Sequence, residues 1–311
     1  MQNHPKILLA VDGSDQSLNA VRYVGRLFSK KSQIVLLHVM AEIPEAFRDM
    51  HVDSSGHSEG HLLGIWKVHQ EEIIDDFMQQ AQALLLDADI APEAVNVNAQ
   101  SMRSGIARDI INESYEDYSA LVVGRTGASK IEEITMGSVA SKLVETIGHI
   151  PIIVVGESPE TQKILIALDG SEGSMNAVAN VGALLEPAEC EVMFCHVIRP
   201  LNIQQLGTKE LFKQKHEAHW IAANQRKIVP VLNEAKRRLL KAGFSEEQIS
   251  SEILTHQKSR AAAIAKAAAA GGFDTIVFGR RGFTSVGDFK IGRVSRKILH
   301  FAFQPALWIG S

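Results

Sequence analysis

The chain contains the same sequence unit twice. Residues 6–14 read KILLAVDGS, and residues 163–171 read KILIALDGS, an offset of 157 positions. The run IVLLHV at 34–39 returns as VMFCHV at 192–197, and GRTG at 124–127 returns as GRRG at 279–282. A period of this length is the size of a complete domain and far too long for a solenoid repeat. The repeat therefore predicts two tandem copies of one small globular fold, over residues 1–157 and 161–311.

Each half alternates short apolar runs with helical patterns, which is typical of βαβ units. The runs are apolar throughout and do not alternate with polar residues, so we expect parallel sheets with helices on both faces. The predicted strands span 7–11, 34–39, 95–99, 120–123 and 152–155 in the first half, and 164–168, 192–197, 251–255, 275–278 and 306–309 in the second. Each half is thus predicted to be a doubly wound α/β domain with a five-stranded parallel sheet.

The first strand of each half leads into a turn and an amphipathic helix. Gly13 and Gly170 supply the backbone freedom for a tight turn, and Ser14 and Ser171 stand at helix N-cap positions. Longer helical patterns follow at about 63–89 and 205–242. The linker around 157–161 is short, so we expect the halves to pack together.

The two halves differ in charge. Residues 1–157 carry 12 Lys and Arg against 22 Asp and Glu, giving −10, whereas residues 158–311 carry 20 against 14, giving +6. Three explanations fit this asymmetry: evolutionary drift of charge on solvated surfaces, attraction between the halves, or an anionic ligand on the second half. Nucleic acid is a poor fit, because the basic residues are not interleaved with an aromatic stacking surface.

The subcellular compartment is predicted from the lack of a membrane-span signal and of a secretory signal. No apolar run approaches the roughly 18 residues of a membrane span, and the N-terminus lacks the basic and apolar regions of a secretory signal. Cys190 and Cys195 are the only cysteines, which suits a reducing compartment without disulfides. We therefore expect a cytoplasmic protein with no membrane span.

A glycine-rich segment after the fourth strand is the candidate phosphate site. Gly124 and Gly127 follow that strand, and after nine residues Gly137 and Ser138 open a helical pattern. Glycines let backbone amides approach an anion, and the first amides of a helix carry partial positive charge. The hydroxyl of Ser138 adds a donor. The site is predicted at the carboxyl ends of the strands, where open α/β sheets bind ligands.

The whole arrangement resembles the universal stress protein family in its tandem form. The resemblance rests on Asp12 after the first strand, the glycine spacing of residues 124–138, the flanking strand and helix, and the second copy. In that family the pattern Gly-x2-Gly-x9-Gly-(Ser/Thr) marks members that bind ATP, and residues 124–138 match it at every fixed position. The resemblance implies an adenine nucleotide alpha hydrolase-like fold and a regulatory role in stress response. The lysine-containing phosphate loop of other NTPases is absent.

The resemblance also implies a role for each matching residue of the first half. Asp12 would lie near the ribose or a phosphate-bound metal such as Mg²⁺, Ala10 would line the base, and Val39 would meet adenine through its backbone. The residues that would surround the ribose and phosphates are Gly124, Gly127, Gly137, Ser138 and Val139. No catalytic residue is assigned, because no general base for hydrolysis is evident, so we expect a nucleotide-binding regulator and at most a slow ATPase.

The second half keeps the glycine spacing and changes one position. Its candidate site residues are Asp169, Val197, Gly279, Gly282, Gly292 and Arg293. Arg293 replaces the hydroxyl residue, and it either fills the pocket and excludes nucleotide or binds phosphate more strongly than a hydroxyl would. Further positive charge in this segment comes from Arg280, Arg281, Lys290, Arg296 and Lys297. These residues favour an anion site with altered preference over a basic surface that binds nothing.

Two other functions are weighed. A non-catalytic protein-interaction module with vestigial nucleotide sites is the alternative, and the complete motif at 124–138 argues against it. Adenylyl-transferring enzymes rank last because their signature sequences do not occur. The family resemblance also implies association through the last strands, 152–155 and 306–309, which a tandem chain can satisfy internally. A homodimer remains open, and no protein partner is identified from the sequence.

Several histidine, cysteine and tryptophan residues are assigned structural roles. Zinc is not expected, because a third ligand is not evident for the histidines at 51, 57, 61 and 69 or for those at 216 and 219. His38 and His196 occupy matched positions and are predicted to be hydrogen-bonded core histidines. The remaining residues, predicted to pack, are Cys190, Cys195, Trp66, Trp220 and Trp308.

Overall fold

The computed structural model describes residues 4–41, 59–127, 136–156, 161–187, 190–200, 210–283 and 290–311. The strands are β1 (Lys6–Val11), β2 (Gln33–Met40), β3 (Val95–Ser101), β4 (Ala120–Gly124), β5 (Ile152–Val155), β6 (Lys163–Ala167), β7 (Glu191–Val197), β8 (Ile249–Leu254), β9 (Thr275–Gly279) and β10 (Ala306–Gly310). The helices are α1 (Asp15–Leu27), α2 (Glu59–Leu86), α3 (Ile106–Glu113), α4 (Ser138–Thr146), α5 (Glu172–Leu184), α6 (Glu210–Lys241), α7 (Arg260–Gly271) and α8 (Arg293–Phe301). Each predicted strand is present, with bounds that differ by no more than two residues.

The strands form a single ten-stranded sheet in the order β3-β2-β1-β4-β5-β10-β9-β6-β7-β8. Neighbouring strands within each half are parallel, as predicted. At the centre β5 and β10 pair antiparallel, with Ile153 opposite Trp308. The predicted pairing of the last strands therefore occurs inside the chain, and it joins two five-stranded sheets whose edges would otherwise be open.

Helices cover both faces of the sheet and bury two apolar layers. Helices α1, α2, α5 and α6 pack on one face, and α3, α4, α7 and α8 pack on the other. Both layers continue across the junction of the halves, because Val155 and Trp308 lie in one layer and Val154 and Leu307 in the other. The central strands are buried on both sides, as their apolar sequences predict. Among the described residues, no helix has both the length and the apolar character needed to cross a membrane.

The turn after the first strand of each half has the predicted construction. Gly13 and Gly170 adopt left-handed backbone angles, with φ of 83° and 85°. The hydroxyl of Ser14 accepts a hydrogen bond from the amide of Ser17 at 3.2 Å, so it caps α1. Ser171 caps α5 in the same way. These turns place the residues after β1 and β6 at the carboxyl edge of the sheet.

The two halves also meet at the ends of α1 and α5. The amide of Ser29 donates to the carbonyl of Leu184 at 3.1 Å, and the amide of Glu186 donates to the carbonyl of Leu27 at 3.2 Å. These reciprocal bonds relate the halves by approximate two-fold symmetry. The domain junction is therefore closed by main-chain pairing on the α1 and α5 side as well as by the central strands.

An aromatic cluster fills the junction beside these bonds. Trp308 is 1% exposed, and its Nε1 donates to the hydroxyl of Tyr23 at 2.7 Å. That hydroxyl also lies 2.9 Å from Oγ1 of Thr275. The packing role predicted for Trp308 is confirmed, whereas Trp220 is 41% exposed and does not belong to the core. The side chain of Trp66 lies outside the described residues.

The two cysteines have the predicted packing role. Cys190 and Cys195 are both buried and neither forms a disulfide. Burial raises the pKa of the Cys195 thiol to about 12, so this group stays protonated and unreactive at neutral pH.

Candidate functional site

The candidate site lies where the strand order reverses. Within the first half β1 is flanked by β2 and β4, so the chain crosses to opposite sides of the sheet after β1 and after β4. Asp12 directly follows β1 and Gly124 ends β4, which brings both to the carboxyl edge of neighbouring strands. Ligands of doubly wound sheets bind in the crevice at this switch point.

The carboxylate of Asp12 is held by the serines that begin α1. Oδ1 accepts hydrogen bonds from the amide of Ser14 at 3.1 Å and from its hydroxyl at 2.6 Å. The hydroxyl of Ser17 donates to the same oxygen at 2.5 Å and accepts from the amide of Asp12 at 3.0 Å. These contacts fix Oδ1 of the carboxylate, although Asp12 itself is exposed.

The second carboxylate oxygen of Asp12 lies against the glycine loop. A Cβ atom added to Gly127 would lie closer than 3.0 Å to Oδ2 of Asp12, a separation that real Cβ atoms do not show. The amide of Gly137 donates to the carbonyl of Arg125 at 2.8 Å, which ties the loop after β4 to the start of α4. The structure therefore brings together the Asp12, Gly127 and Gly137 positions that the sequence singles out.

Helix α4 begins beside this loop and directs its first amides toward the same edge of the sheet. Its N-cap is Gly137, which has no side chain to occupy those amides, and Ser138 at the first helical position is exposed. By contrast, serine hydroxyls cap α1 and α5. The amide end of α4 is thus suited to an anion. Residues 128–135, which complete the segment, lie outside the described residues.

The predicted base-lining residues share one apolar layer with this helix. Ala10 and Val39 are each 5% exposed, and Val139 packs against the same layer. Ala10 lies on β1 opposite Leu37 of β2 and Val123 of β4. The structure therefore places an apolar floor next to the polar groups at the strand ends.

The second half repeats this geometry. A Cβ atom added to Gly282 would lie 2.5 Å from Oδ2 of Asp169, and the amide of Gly292 donates to the carbonyl of Arg280 at 2.8 Å. Val197 is buried in the same apolar layer as its counterpart Val39. Gly279 ends β9, as Gly124 ends β4. All four glycine and aspartate positions of the second candidate site are therefore brought together.

The second site differs from the first at Arg293 and in the hydrogen bonds of its aspartate. Arg293, the first residue of α8, is exposed, so its guanidinium is not buried in the loop. Asp169 accepts bonds from the amide and hydroxyl of Ser171, but the hydroxyl of Ser174 donates to the carbonyl of Ser171 instead. The aspartate of the second half therefore lacks the bond that Ser17 makes in the first half.

Arg280 has a different role from the one its charge suggests. It is only 6% exposed, and its guanidinium donates to the carbonyl of Val144 at 2.8 Å and to that of Ile147, at the end of α4 in the other half. Burial, together with the neighbouring Arg281, lowers the pKa of Arg280 to about 10. The prediction that Arg280 adds charge to the anion site is therefore wrong, because its guanidinium faces the junction between the halves.

Arg125 makes the reciprocal contact in the first half. It is 4% exposed, and its guanidinium donates to the carbonyl of Ala302 at 2.8 Å and to that of Leu299, at the end of α8. Sequence reasoning missed the contacts that both arginines make at the junction. The repeat of arginine at the second position of both Gly-Arg-x-Gly motifs could have indicated a shared role. It could not indicate the partners, because the acceptors are main-chain carbonyls, which every residue has.

The matched histidines have the structural role that was predicted. Nδ1 of His38 lies 2.9 Å from the carbonyl of Val11, and Nδ1 of His196 lies 2.6 Å from the carbonyl of Leu168. A carbonyl only accepts, so each Nδ1 carries a proton. Burial lowers the pKa of both histidines. They brace the ends of β1 and β6 from the neighbouring strand.

The metal-binding candidates form no cluster in the described part of the chain. Across residues 4–41, 59–127, 136–156, 161–187, 190–200, 210–283 and 290–311, no three His, Cys, Asp or Glu side chains group in a way that could hold a metal ion. His51 and His57 lie outside the described residues, as does the side chain of His61.

Comparison with known proteins identifies relatives along the whole chain. The profile described as Universal stress protein family matches residues 4–156 and again 160–309. A universal stress protein of Mycolicibacterium smegmatis is 25% identical over 179 residues, which are 56% of this chain and 57% of that protein. Universal stress protein YxiE of Bacillus subtilis is 26% identical over 153 residues, 47% of this chain and 96% of that protein.

A solved structure shows the same fold. The crystal structure of a universal stress protein from Archaeoglobus fulgidus aligns over 98% of this chain and 98% of its own, with a TM-score of 0.59 and 17% identity. At that identity the likeness shows the α/β architecture with its tandem arrangement. By contrast, the match to the Mycolicibacterium smegmatis protein covers little more than half of that protein's length.

Proposed function

The chain belongs to the universal stress protein family, in a tandem form, and from this premise we propose that its first half binds ATP and acts as a nucleotide-dependent regulator in stress response. The observation that carries the proposal is the convergence of Asp12, Gly127 and the amide end of α4 at one switch point. Each of these groups suits a different part of a nucleotide.

The apolar and polar parts of the site correspond to the parts of the ligand. Ala10 and Val39 offer an apolar floor for adenine, and the main chain at the end of β2 can read the edge of the base. Ser14 and Ser17 hold Oδ1 of Asp12, and Oδ2 faces Gly127 of the loop, where a carboxylate oxygen would accept a hydrogen bond from a ribose hydroxyl. Gly124, Gly127, Gly137, Ser138 and Val139 then surround the phosphates.

Magnesium fits as a companion of the phosphates. A carboxylate oxygen together with phosphate oxygens and waters is a donor set that Mg²⁺ accepts. Asp12 is the carboxylate beside the loop that would meet the ion, as the alternative to its role toward the ribose. When bound, the ion would neutralise phosphate charge next to an acidic half of the chain.

We propose binding as the function, with hydrolysis at most slow. His38, on the strand beside β1, donates through Nδ1 to the main-chain carbonyl of Val11, and burial lowers its pKa. Asp12 is engaged by Ser14 and Ser17, which orient it as an acceptor for ligand hydroxyls. This arrangement favours recognition over activation of an attacking water.

A second anion site in the other half is favoured by the exposure of Arg293. A plug would have to bury its side chain in the loop, whereas the guanidinium of Arg293 is exposed. The close approach of Gly282 to Asp169 repeats that of Gly127 to Asp12, so the second half keeps the backbone geometry of the first site. We therefore propose that the second half takes an anion with a preference different from that of the first.

The experiment is a matched pair of glycine substitutions measured by calorimetric titration with ATP. We expect Gly127→Asp to abolish binding, because the new side chain collides with Asp12 and places a second carboxylate among the phosphates. Gly282→Asp makes the same change in the other loop and should retain ATP binding. Circular dichroism checks that both variants fold.

The proposal has a clear failing outcome. Unchanged ATP affinity in the Gly127→Asp variant would show that the nucleotide lies elsewhere, and absence of ATP binding in the wild-type chain would favour the protein-interaction module instead. Mass spectrometry of small molecules that co-purify with the native protein gives an independent check of ligand identity.

A further inference from the structure

Arg125 connects the first candidate site to the other half of the chain. Its carbonyl accepts from the amide of Gly137, the N-cap of α4, at 2.8 Å. Its guanidinium donates to the carbonyls of Leu299 and Ala302 at the end of α8. One residue therefore holds the amide end of its own helix and the carbonyl end of the opposite helix.

Arg280 makes the same pair of contacts in reverse. Its carbonyl accepts from the amide of Gly292, the N-cap of α8, at 2.8 Å. Its guanidinium donates to the carbonyl of Val144 at 2.8 and 2.9 Å, and to that of Ile147, at the end of α4. The two arginines are thus related by the approximate two-fold symmetry of the chain.

These contacts and the two helices form a closed ring. Helices α4 and α8 have nine residues each, so each is a rigid rod of about 14 Å. Each helix begins at the glycine loop of its own half and ends at the arginine of the other half. A shift of either helix along or across its axis must therefore move the arginine at its far end.

The hydrogen bonds in this ring are stronger than those between neutral groups, because the donor is a charged guanidinium. The last carbonyls of a helix carry partial negative charge and lack partners within the helix, so a buried guanidinium is a favourable partner for them. The planar fork of arginine serves two carbonyls at once, which the single ammonium of lysine cannot do in the same geometry. Arg125 also lies 5.2 Å from the ring of Phe303, which adds a cation–π contact.

We propose that Arg125 and Arg280 are positioning residues, each of which places the ligand-binding helix of the opposite half and thereby couples the two loops. The proposal rests on the proposed function, because the ligand of the first loop is taken to be ATP. Its consequence is that a ligand bound in one half changes the affinity of the other half, by the same factor in both directions.

The test uses Arg280→Gln in the full chain, with two readouts. Arg280 lies in the second loop, and its guanidinium contacts α4 at the end that is far from the first site. We nevertheless expect the variant to lower ATP affinity at the first site about fivefold, which is the lower end of the range for coupling between sites. Without any ligand, amide hydrogen exchange at Gly137 and at residues 141–147, whose amides are hydrogen-bonded in and around α4, should become faster. Arg280→Lys should restore part of both properties, because an ammonium can still serve one carbonyl.

A control variant separates positioning from general weakening of the junction. Thr275→Val removes a different buried hydrogen bond between the halves, the one to Tyr23. It should lower stability and leave exchange at Gly137 and residues 141–147, and ATP affinity, unchanged. If Thr275→Val produces the same changes as Arg280→Gln, the arginine only stabilises the junction and the proposal is overturned.

The remaining outcomes are also decisive. Unchanged exchange in Arg280→Gln overturns the positioning role whether or not ATP binds, and unchanged ATP affinity overturns the coupling. If wild-type protein binds no ATP, the proposed function fails while the exchange experiment still decides the role of the arginine. If Arg280→Gln does not fold, the same comparisons are made with Arg280→Lys.

Discussion

The two halves of the chain agree closely at the strand ends and in the arginine contacts of α4 and α8, and they differ in the side chains that fill the junction beside α1 and α5. Asp12 and Asp169 lie against matching glycines, and Arg125 and Arg280 make matching contacts. The aromatic cluster has no such counterpart. Tyr23 corresponds to Asn180 at the ninth position of a 13-residue helix in each half, and Thr275 and Trp308 correspond to Ala120 and Ile153.

This difference separates two kinds of constraint. A ligand site needs particular groups at particular places, so a change in one of them removes the function. A packed junction needs its volume filled and its polar groups paired, and several residue combinations meet that need. The Tyr23, Thr275 and Trp308 cluster meets it with two hydrogen bonds. On the other side Nδ2 of Asn180 is buried and, among the described residues, has no hydrogen-bond partner.

The largest effect should come from emptying the better-filled side of the junction. We expect Trp308→Ala to lower the free energy of unfolding by about 4 kcal/mol, because it leaves a large cavity between the halves. Urea unfolding followed by circular dichroism measures this change. The matched control is Trp220→Ala, which removes a side chain that is 41% exposed and should cost far less. Equal losses in the two variants would mean that the junction contributes little to stability.

Opposite signs should follow from polar changes at the two equivalent helix positions. Tyr23→Phe removes the partner of Trp308 and Thr275 in a buried place, so it should cost about 2 kcal/mol. Asn180→Leu removes an amide whose Nδ2 is buried and has no hydrogen-bond partner among the described residues, so it should stabilise the chain by about 1 kcal/mol. Both values come from urea unfolding. Two destabilising results would show that Asn180 makes a contact through water or through residues outside the described part.

Local sequence chemistry was sufficient to predict the turns and the glycine loops. Gly13 and Ser14 can be assigned because a left-handed glycine and an N-cap serine act on residues within three positions of themselves. The loop of Gly124 to Ser138 could be assigned because its spacing is repeated and belongs to a known family pattern. The strands followed from apolar runs, and their central pairing from the family resemblance.

The role of the arginines could not be predicted in the same way. Arg280 contacts carbonyls of Val144 and Ile147, 136 and 133 positions earlier in the chain, and a carbonyl is present at every residue. Its charge therefore suggested a surface anion site, although the fold buries it. The cluster of Tyr23, Thr275 and Trp308 escaped prediction for a related reason, since its three members come from α1, β9 and β10 and meet only when the halves join.

The smallest effect concerns the residue that distinguishes the two sites, Ser138 against Arg293. In a Gly127→Asp background, where the first site is silenced, we expect Arg293→Ser to weaken the binding of inorganic triphosphate to the second half by about threefold at low ionic strength. The effect is small because an exposed guanidinium is well hydrated and its attraction for an anion is screened. Calorimetric titration at low and at physiological salt should show the difference shrink as salt rises.

A charge-matched control tests whether the position or only the charge of Arg293 matters. Lys297→Ser removes one positive charge about one turn further along α8, where the side chain is exposed but lies away from the first amides of the helix. It should change triphosphate binding less than Arg293→Ser does. If Arg293→Ser instead creates ATP binding where its parent has none, the arginine excludes nucleotide, and that side chain accounts for the different ligand preference of the second half.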